Sequence, residues 1–205
     1  MTDPDRAPKT EEQIRAAWVR EPPRLTGRIQ VVDYDPQWPR LFEREAARIR
    51  AVLGGRVVQL EHVGSTSVPG LAAKPIIDIM LAVPDSADEP AYLPDLEAAG
   101  YVLVIREPDW YQHRAFKGPD TNVNLHVYPA GCPELERYLV FRDRLRGHPG
   151  DRDHYQRVKR ELAQRDWDYV QQYADAKTAV VEEIIARARA AAGGAAPGPA
   201  PAPEG

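Results

Sequence analysis

The sequence predicts an α/β (α+β) fold, a mixed β-sheet with flanking helices followed by a C-terminal helical segment. The prediction rests first on two apolar runs, Val57–Val63 and Ile76–Val83, rich in Val, Ile and Leu as buried strands are. It rests also on the order of elements: a helix-periodic stretch, then short strand-like runs, then helical patterns from Pro133 onward.

The elements follow in order. Residues 1–27 are charged and proline-dotted and read as a partly disordered extension. Within it Glu11–Arg20 forms a short helix, because Ile14, Ala17 and Trp18 share a face and Glu21-Pro22-Pro23 stops it. Ile29–Val32 reads as a short edge strand. Asp35 is placed as N-cap of a helix with Pro36 at its first position. That helix runs to Gly54-Gly55 and turns Trp38, Leu41, Phe42, Ala46, Ile49 and Leu53 to the core. After the two central strands come a helix over Ala91–Ala99, a third strand over Tyr101–Ile105, a polar connection over Arg106–Trp110 and a fourth strand over His113–Lys117. A fifth strand, Asn122–Tyr128, alternates cleanly, with Asn122, Asn124 and His126 on one face and Val123, Leu125 and Val127 on the other. Helices are expected over Pro133–Arg146, Asp151–Arg165 and Ala174–Ala192, the first ending at Gly147-His148-Pro149. The domain therefore spans 28–192, its sheet-bearing core 28–130 and its helical part 133–192, and the Pro/Ala/Gly tail 193–205 is expected to be disordered.

Between the central strands lies a polar elbow, Gly64-Ser65-Thr66-Ser67. Glycine permits close backbone approach, and hydroxyls with backbone N–H groups suit a phosphate. An ordinary strand-ending turn capped by Ser and Thr has the same composition. On the next strand Asp78 is a single carboxylate in an apolar run, where an acid needs a partner: a metal, a proton to accept, or a buried donor. Period two puts Met80 on its face, and a thioether is a poor ligand for Mg²⁺.

Gly64-Ser65 followed by Asp78 on the next strand resembles the signature of the nucleotidyltransferase superfamily. More narrowly, EHVGSTSVPGLAAKPIIDI resembles the GrpB family, and the likeness continues in YDPQWPRLFEREAARI, NVNLHVYP, FRDRLRGHP and YADAKTAVVEEI, from about Ile29 to Arg189. The resemblance implies a nucleotidyltransferase-like sheet. It implies metal-dependent transfer of a nucleotidyl group from an NTP to a small acceptor, with Gly64, Ser65, Thr66 and Ser67 on the phosphates. Asp78 would then hold a divalent metal, Mg²⁺ or Mn²⁺ ahead of Zn²⁺, and His126 would assist the acceptor or a second metal. The alternative is a non-catalytic or differently catalytic module that binds a nucleotide or another phosphate-bearing ligand, including one related to coenzyme A. The superfamily's second acid falls at Met80; Glu61, Asp109 and Asp120 are the nearby substitutes.

Other candidates carry two readings each. His62, His113 and His126 could gather near the elbow as a mixed metal site, or each could hydrogen-bond within the sheet. Lys74, Arg114 and Lys117 could neutralise phosphate or form ordinary ion pairs. Arg142, Lys159 and Lys177, on the C-terminal helices, reach the phosphates if those helices cross the open face of the sheet; otherwise they are solvated charge. Tyr138, Tyr155, Trp167, Tyr169 and Tyr173 either stack on a base or pack helices.

Composition narrows the classes. The formal net charge of −4 gives no case for a nucleic-acid partner. A single cysteine, Cys132, excludes an intrachain disulfide and fits a reducing, cytoplasmic setting. No signal peptide and no apolar run long enough for a bilayer are read, so no membrane partner is expected.

Overall fold

The computed structural model describes residues 7–193. The first six residues of the extension and residues 194–205 of the expected tail lie outside them, while Gly193, expected to open the tail, closes the last helix. Strands β1 (Gln59–Val63), β2 (Ile77–Val83), β3 (Val102–Glu107), β4 (His113–Lys117) and β5 (Val123–Pro129) form one sheet in the order β1-β2-β5-β4-β3. The central β2–β5 pair is parallel, and the other pairs are antiparallel. Helices α1 (Glu11–Ala17), α2 (Trp38–Leu53) and α3 (Leu93–Ala98) come from the first half. Helices α4 (Pro133–Gly147), α5 (Pro149–Ala163), α6 (Val170–Asp175) and α7 (Thr178–Gly193) close the chain.

Alternation along the strands separates two faces. Ile77, Ile79, Leu81 and Val83 of β2 join Val123, Leu125 and Val127 of β5 against Phe42, Ala46, Ile49 and Leu53 of α2 and Leu96 of α3. Removing this apolar area from water is the main stabilising term. The other face carries a smaller apolar cluster, in which Val63, Met80 and Tyr128 meet Leu135 of α4. Val68, Leu71, Leu145, Tyr155, Val180 and Ile184 then fasten α4, α5 and α7 to the turn after β1. The helical half thus covers the polar face, with the site between.

Four expectations change. Ile29–Val32 is not a strand: only Val32 pairs, with Ala73, while Ile29 packs on Leu162 and Tyr173. Helix α2 begins at Trp38, not Pro36. Asp35 instead closes a turn by accepting from the Gln37 N–H at 2.8 Å, and Pro39 occupies the first helical turn, where no N–H is needed. The helix expected over Ala174–Ala192 is two, broken at Ala176-Lys177 without a Gly or Pro. The extension is not loose where it is described. A capping box at Thr10 starts α1, Ile14 is buried, Trp18 bridges Ile105, and the Val19 N–H donates to the Val104 carbonyl at 3.0 Å. This segment covers the free edge of β3.

Ile79 is fully buried between β5 and α2. Ile79→Ala should therefore destabilise by about 2–5 kcal/mol in urea unfolding, with the slope unchanged.

Candidate phosphate-binding site

Strand β1 ends at Gly64, which takes φ +67, a conformation glycine adopts freely. A Cβ there would lie 3.0 Å from Cβ and Cγ of Asp78 and nearer still to its Oδ2. The register places Val63 opposite Asp78, so the carboxylate seats against the Gly64 backbone. Asn124, in register with Asp78 across the parallel pair, donates through Nδ2 to Asp78 Oδ1 at 2.8 Å. Lys117 in turn donates to Asn124 Oδ1 at 2.6 Å.

Lysines dominate the surroundings. Lys159 is buried; its Nζ donates to Ser65 Oγ at 3.0 Å and to the Ala72 carbonyl, and sits 4.9 Å from the Tyr155 ring centre. Lys177, in the break between α6 and α7, lies 4.3 Å from the Tyr173 ring centre, and Lys74 lies 5.5 Å from it. Burial, then the charge of Lys177, brings Lys159 down to about 7. Burial, then Lys74, does the same to Lys177. Lys74 and Lys117 are lowered too, by burial, although the Asp78 charge opposes the shift. Burial raises Asp78, against its Asn124 hydrogen bond and the fields of Lys74, Lys177 and Lys117. Asp78 thus faces four lysines, Asp175 acts on Lys177 as well, and Asp78 and every lysine but Lys159 keep partial exposure to solvent.

The other elbow hydroxyls are spent internally. Thr66 Oγ1 donates to the Ile76 carbonyl at 3.0 Å and Ser67 Oγ to the Gly64 carbonyl at 2.6 Å, both side chains being buried. Ser65 is the one that faces the lysines.

Three sequence candidates sit elsewhere. Arg114 shares its face with Val127, the α2 side, and pairs with Glu89 at 2.6 Å, because alternation along β4 turns only His113, Ala115 and Lys117 to the site. Arg142 lies at the β1 edge, donating to Glu61 at 2.8 Å and to the His62 carbonyl at 3.2 Å. His62 is opposite Ile79 and stacks on Phe42 of α2 at 4.8 Å, so it lies on the apolar face. The three histidines therefore do not gather. Of the substitute acids, Glu61 is held by Arg142 and Asp120 by Arg48.

His113 and His126 do meet. Glu107 Oε2 lies 2.7 Å from His113 Nδ1, and His113 Nε2 lies 3.0 Å from His126 Nδ1. Against burial, the His113 hydrogen bond and then Lys9 hold Glu107 ionised, at about 2. Burial keeps both imidazoles neutral, His126 at about 3. The protons then follow: His113 donates Nδ1–H to Glu107 and accepts at Nε2 from His126 Nδ1–H. That leaves His126 Nε2 with its lone pair and, among the described residues, no hydrogen-bond partner. Glu107 is the residue sequence reasoning missed. It faces His113 across the β3–β4 hairpin, whose turn holds Tyr111 and Gln112 at φ 51, left-handed positions that carry no glycine to announce them.

Among the described residues no group of three His, Cys, Asp or Glu side chains is arranged to hold a metal ion. Asp78 Oδ1 is engaged by Asn124, and the Met80 thioether is fully buried. The side chains alone do not supply the oxygen-rich set of a resident Mg²⁺ or Mn²⁺. Among the same residues no helix is long and apolar enough to cross a membrane.

Fold and site define a mixed α/β domain that presents a lysine cluster where its central strands meet a helical cover. The chain belongs to the GrpB family, whose model, described as GrpB protein, matches residues 28–187. It is 59% identical over 183 residues to a UPF0157 protein of Halalkalibacterium halodurans, covering 89% of this chain and 94% of that one. A UPF0157 protein of Streptomyces coelicolor is 47% identical over 163 residues, 80% of this chain and 86% of that one. The crystal structure of conserved protein GrpB from Enterococcus faecalis matches with a TM-score of 0.70 at 31% identity, covering 80% of this chain and 99% of that one.

Gly64→Ala combines a left-handed φ with a clash against Asp78; a loss of about 1–3 kcal/mol is expected in urea unfolding. The lysines add a pH signature. In the folded protein Lys159 and Lys177 release protons near pH 7, while the unfolded chain holds them to about pH 10.4. The unfolded state therefore binds more protons above pH 7, and stability of the free protein should rise from pH 7 to 9. Lys177→Met should flatten that rise in urea unfolding measured at each pH.

Proposed function

We propose that this chain binds a nucleotide-type ligand through its phosphates, using lysines for the charge neutralisation. The observation that carries the reading is the convergence of Lys74, Lys117, Lys159 and Lys177 around Asp78, with Lys159 held on Ser65. A polyanion would restore full charge to Lys159 and Lys177, so binding takes up protons and weakens as pH rises above about 7. Tyr138, half-buried and within reach of the Asp78 charge, is the aromatic ring available to a base. The same chemistry suits a coenzyme A-related phosphate ligand.

A second reading, nucleotidyl transfer from an NTP to a small acceptor, is favoured by the Glu107–His113–His126 chain. There the acceptor hydroxyl is oriented by a hydrogen bond to His126 Nε2, its oxygen bonds to the α-phosphorus as its proton passes to solvent, and pyrophosphate leaves. A divalent cation held between Asp78 and the phosphates would supply further neutralisation.

Calorimetric titration with ATP and with coenzyme A, each with and without Mg²⁺, separates the readings. The binding reading expects metal-independent binding with proton uptake at pH 8. Lys159→Met and Lys177→Met should each weaken it about tenfold or more, and Asp78→Asn should tighten it. Binding that requires Mg²⁺ and vanishes in Asp78→Asn would replace it with the transfer reading. Failure of both ligands to bind, or indifference to the lysine variants, would overturn both.

A further inference from the structure

The Gly64–Ser67 turn has a second side. Ser65 faces Lys159, whereas the Ser67 carbonyl accepts from Arg146 Nε and Nη2 at 3.0 and 2.8 Å. There, at the β1 edge between α2 and α4, a cleft of about 450 Å³ opens, the size of sites that take small organic molecules. One wall is aromatic: the Phe42 and His62 rings stack at 4.8 Å and 7°. Arg142, Arg146 and Arg152 supply the positive charge.

The three guanidinium groups are not equivalent. Arg142 is committed, to Glu61 at 2.8 Å and Asp143 at 2.7 Å. Arg146 is anchored by the Ser67 carbonyl and keeps Nη1 3.6 Å from Asp143. Arg152, in the first turn of α5, has no ion pair and no side-chain hydrogen bond among the described residues. Of the two acids in the lining, Glu61 is spent on Arg142 and Glu43 is exposed.

His62 adds a directional group. Thr66 Oγ1 uses its only proton on the Ile76 carbonyl, so its 3.1 Å contact with His62 Nε2 is an Nε2–H donation. The Nδ1 atom is then the acceptor nitrogen, and it has no partner among the described residues. Burial, Arg146 and Arg142 keep the ring neutral, at about 4.

We propose that this cleft is a second ligand site, for a small ring-bearing organic anion. The ring lies on the Phe42–His62 wall, a ring N–H or O–H meets His62 Nδ1, and the phosphate or carboxylate meets Arg152 and the Nη1 edge of Arg146, in competition with Asp143. This site stands apart from the lysine cluster and does not depend on what that cluster binds.

The test titrates the full chain with phenyl phosphate and, separately, benzoate, following the arginine Nε–H signals by NMR. Expected is saturable binding of at least one probe, weakened about tenfold by Arg152→Gln and unchanged by Lys177→Met. A phosphate site favours the first probe and a carboxylate site the second. Arg152 has no partner to lose, so Arg152→Gln should melt as wild type does. Glu43→Gln is an independent check and should tighten binding a few-fold by removing a repelling charge. Absence of saturation by both probes would overturn the proposal. So would binding that ignores Arg152→Gln and Glu43→Gln but is lost in Lys177→Met, which would put the anion in the lysine cluster.

Discussion

The site depends on one contact, the Asp78 carboxylate seated against the bare backbone of Gly64. It exists because β1 and β2 pair with Val63 opposite Asp78. A slip of one residue would turn Asp78 into the apolar layer beneath α2 and lift Ile79 into the polar face. The buried alternation of β2 and β5 therefore fixes the position of the acid as firmly as it fixes the core. Asn124 and Lys117 follow from the same registers, since each lies on the strand and face that lead back to Asp78.

Around that acid the electrostatics are lopsided. Four ammonium groups crowd the Asp78 carboxylate, with Asp175 acting on Lys177 alone, and burial discourages their charge when nothing else is present. The helical half brings two of them: α5 carries Lys159, and the break after α6 delivers Lys177. The sheet half brings the other two, together with the imidazole chain whose proton order is set by Glu107. Neither half holds the cluster alone, which gives a physical reason for sheet and helices to form one unit.

Much of this is legible in the sequence. Alternation in Asn122–Tyr128 and Ile76–Val83 placed the core and polar faces, and Asp78 beside a glycine elbow followed from strand order. Arg114 and His113, as neighbours on one strand, point opposite ways, and the residue pattern alone does not say which of them meets the site. What escaped has identifiable causes. The α6–α7 break has no Gly or Pro, so the position of Lys177 was hidden in a continuous helical pattern. The hairpin turn uses Tyr111 and Gln112 where glycine or asparagine is usual, so the Glu107–His113 pairing had no signal. His62 was expected near the elbow, but its register partner is Ile79 and its ring stacks on Phe42 at the apolar face. Thr66 and Ser67 matched a phosphate cradle in composition, while the turn consumes both hydroxyls itself.

The covering of β3 by the segment after α1 bears on how the molecule behaves as a particle. Trp18 and Val19 occupy backbone groups of Ile105 and Val104 that would otherwise form an open ladder at the sheet's margin. Open ladders recruit strands from other chains. A shortened version starting beyond Val19 would keep the four clustered lysines and the histidines, losing only the Lys9 contact with Glu107, yet would offer neighbouring molecules a template for strand addition. The leading segment thus acts as a guard on solubility, separate from anything it contributes to ligand recognition.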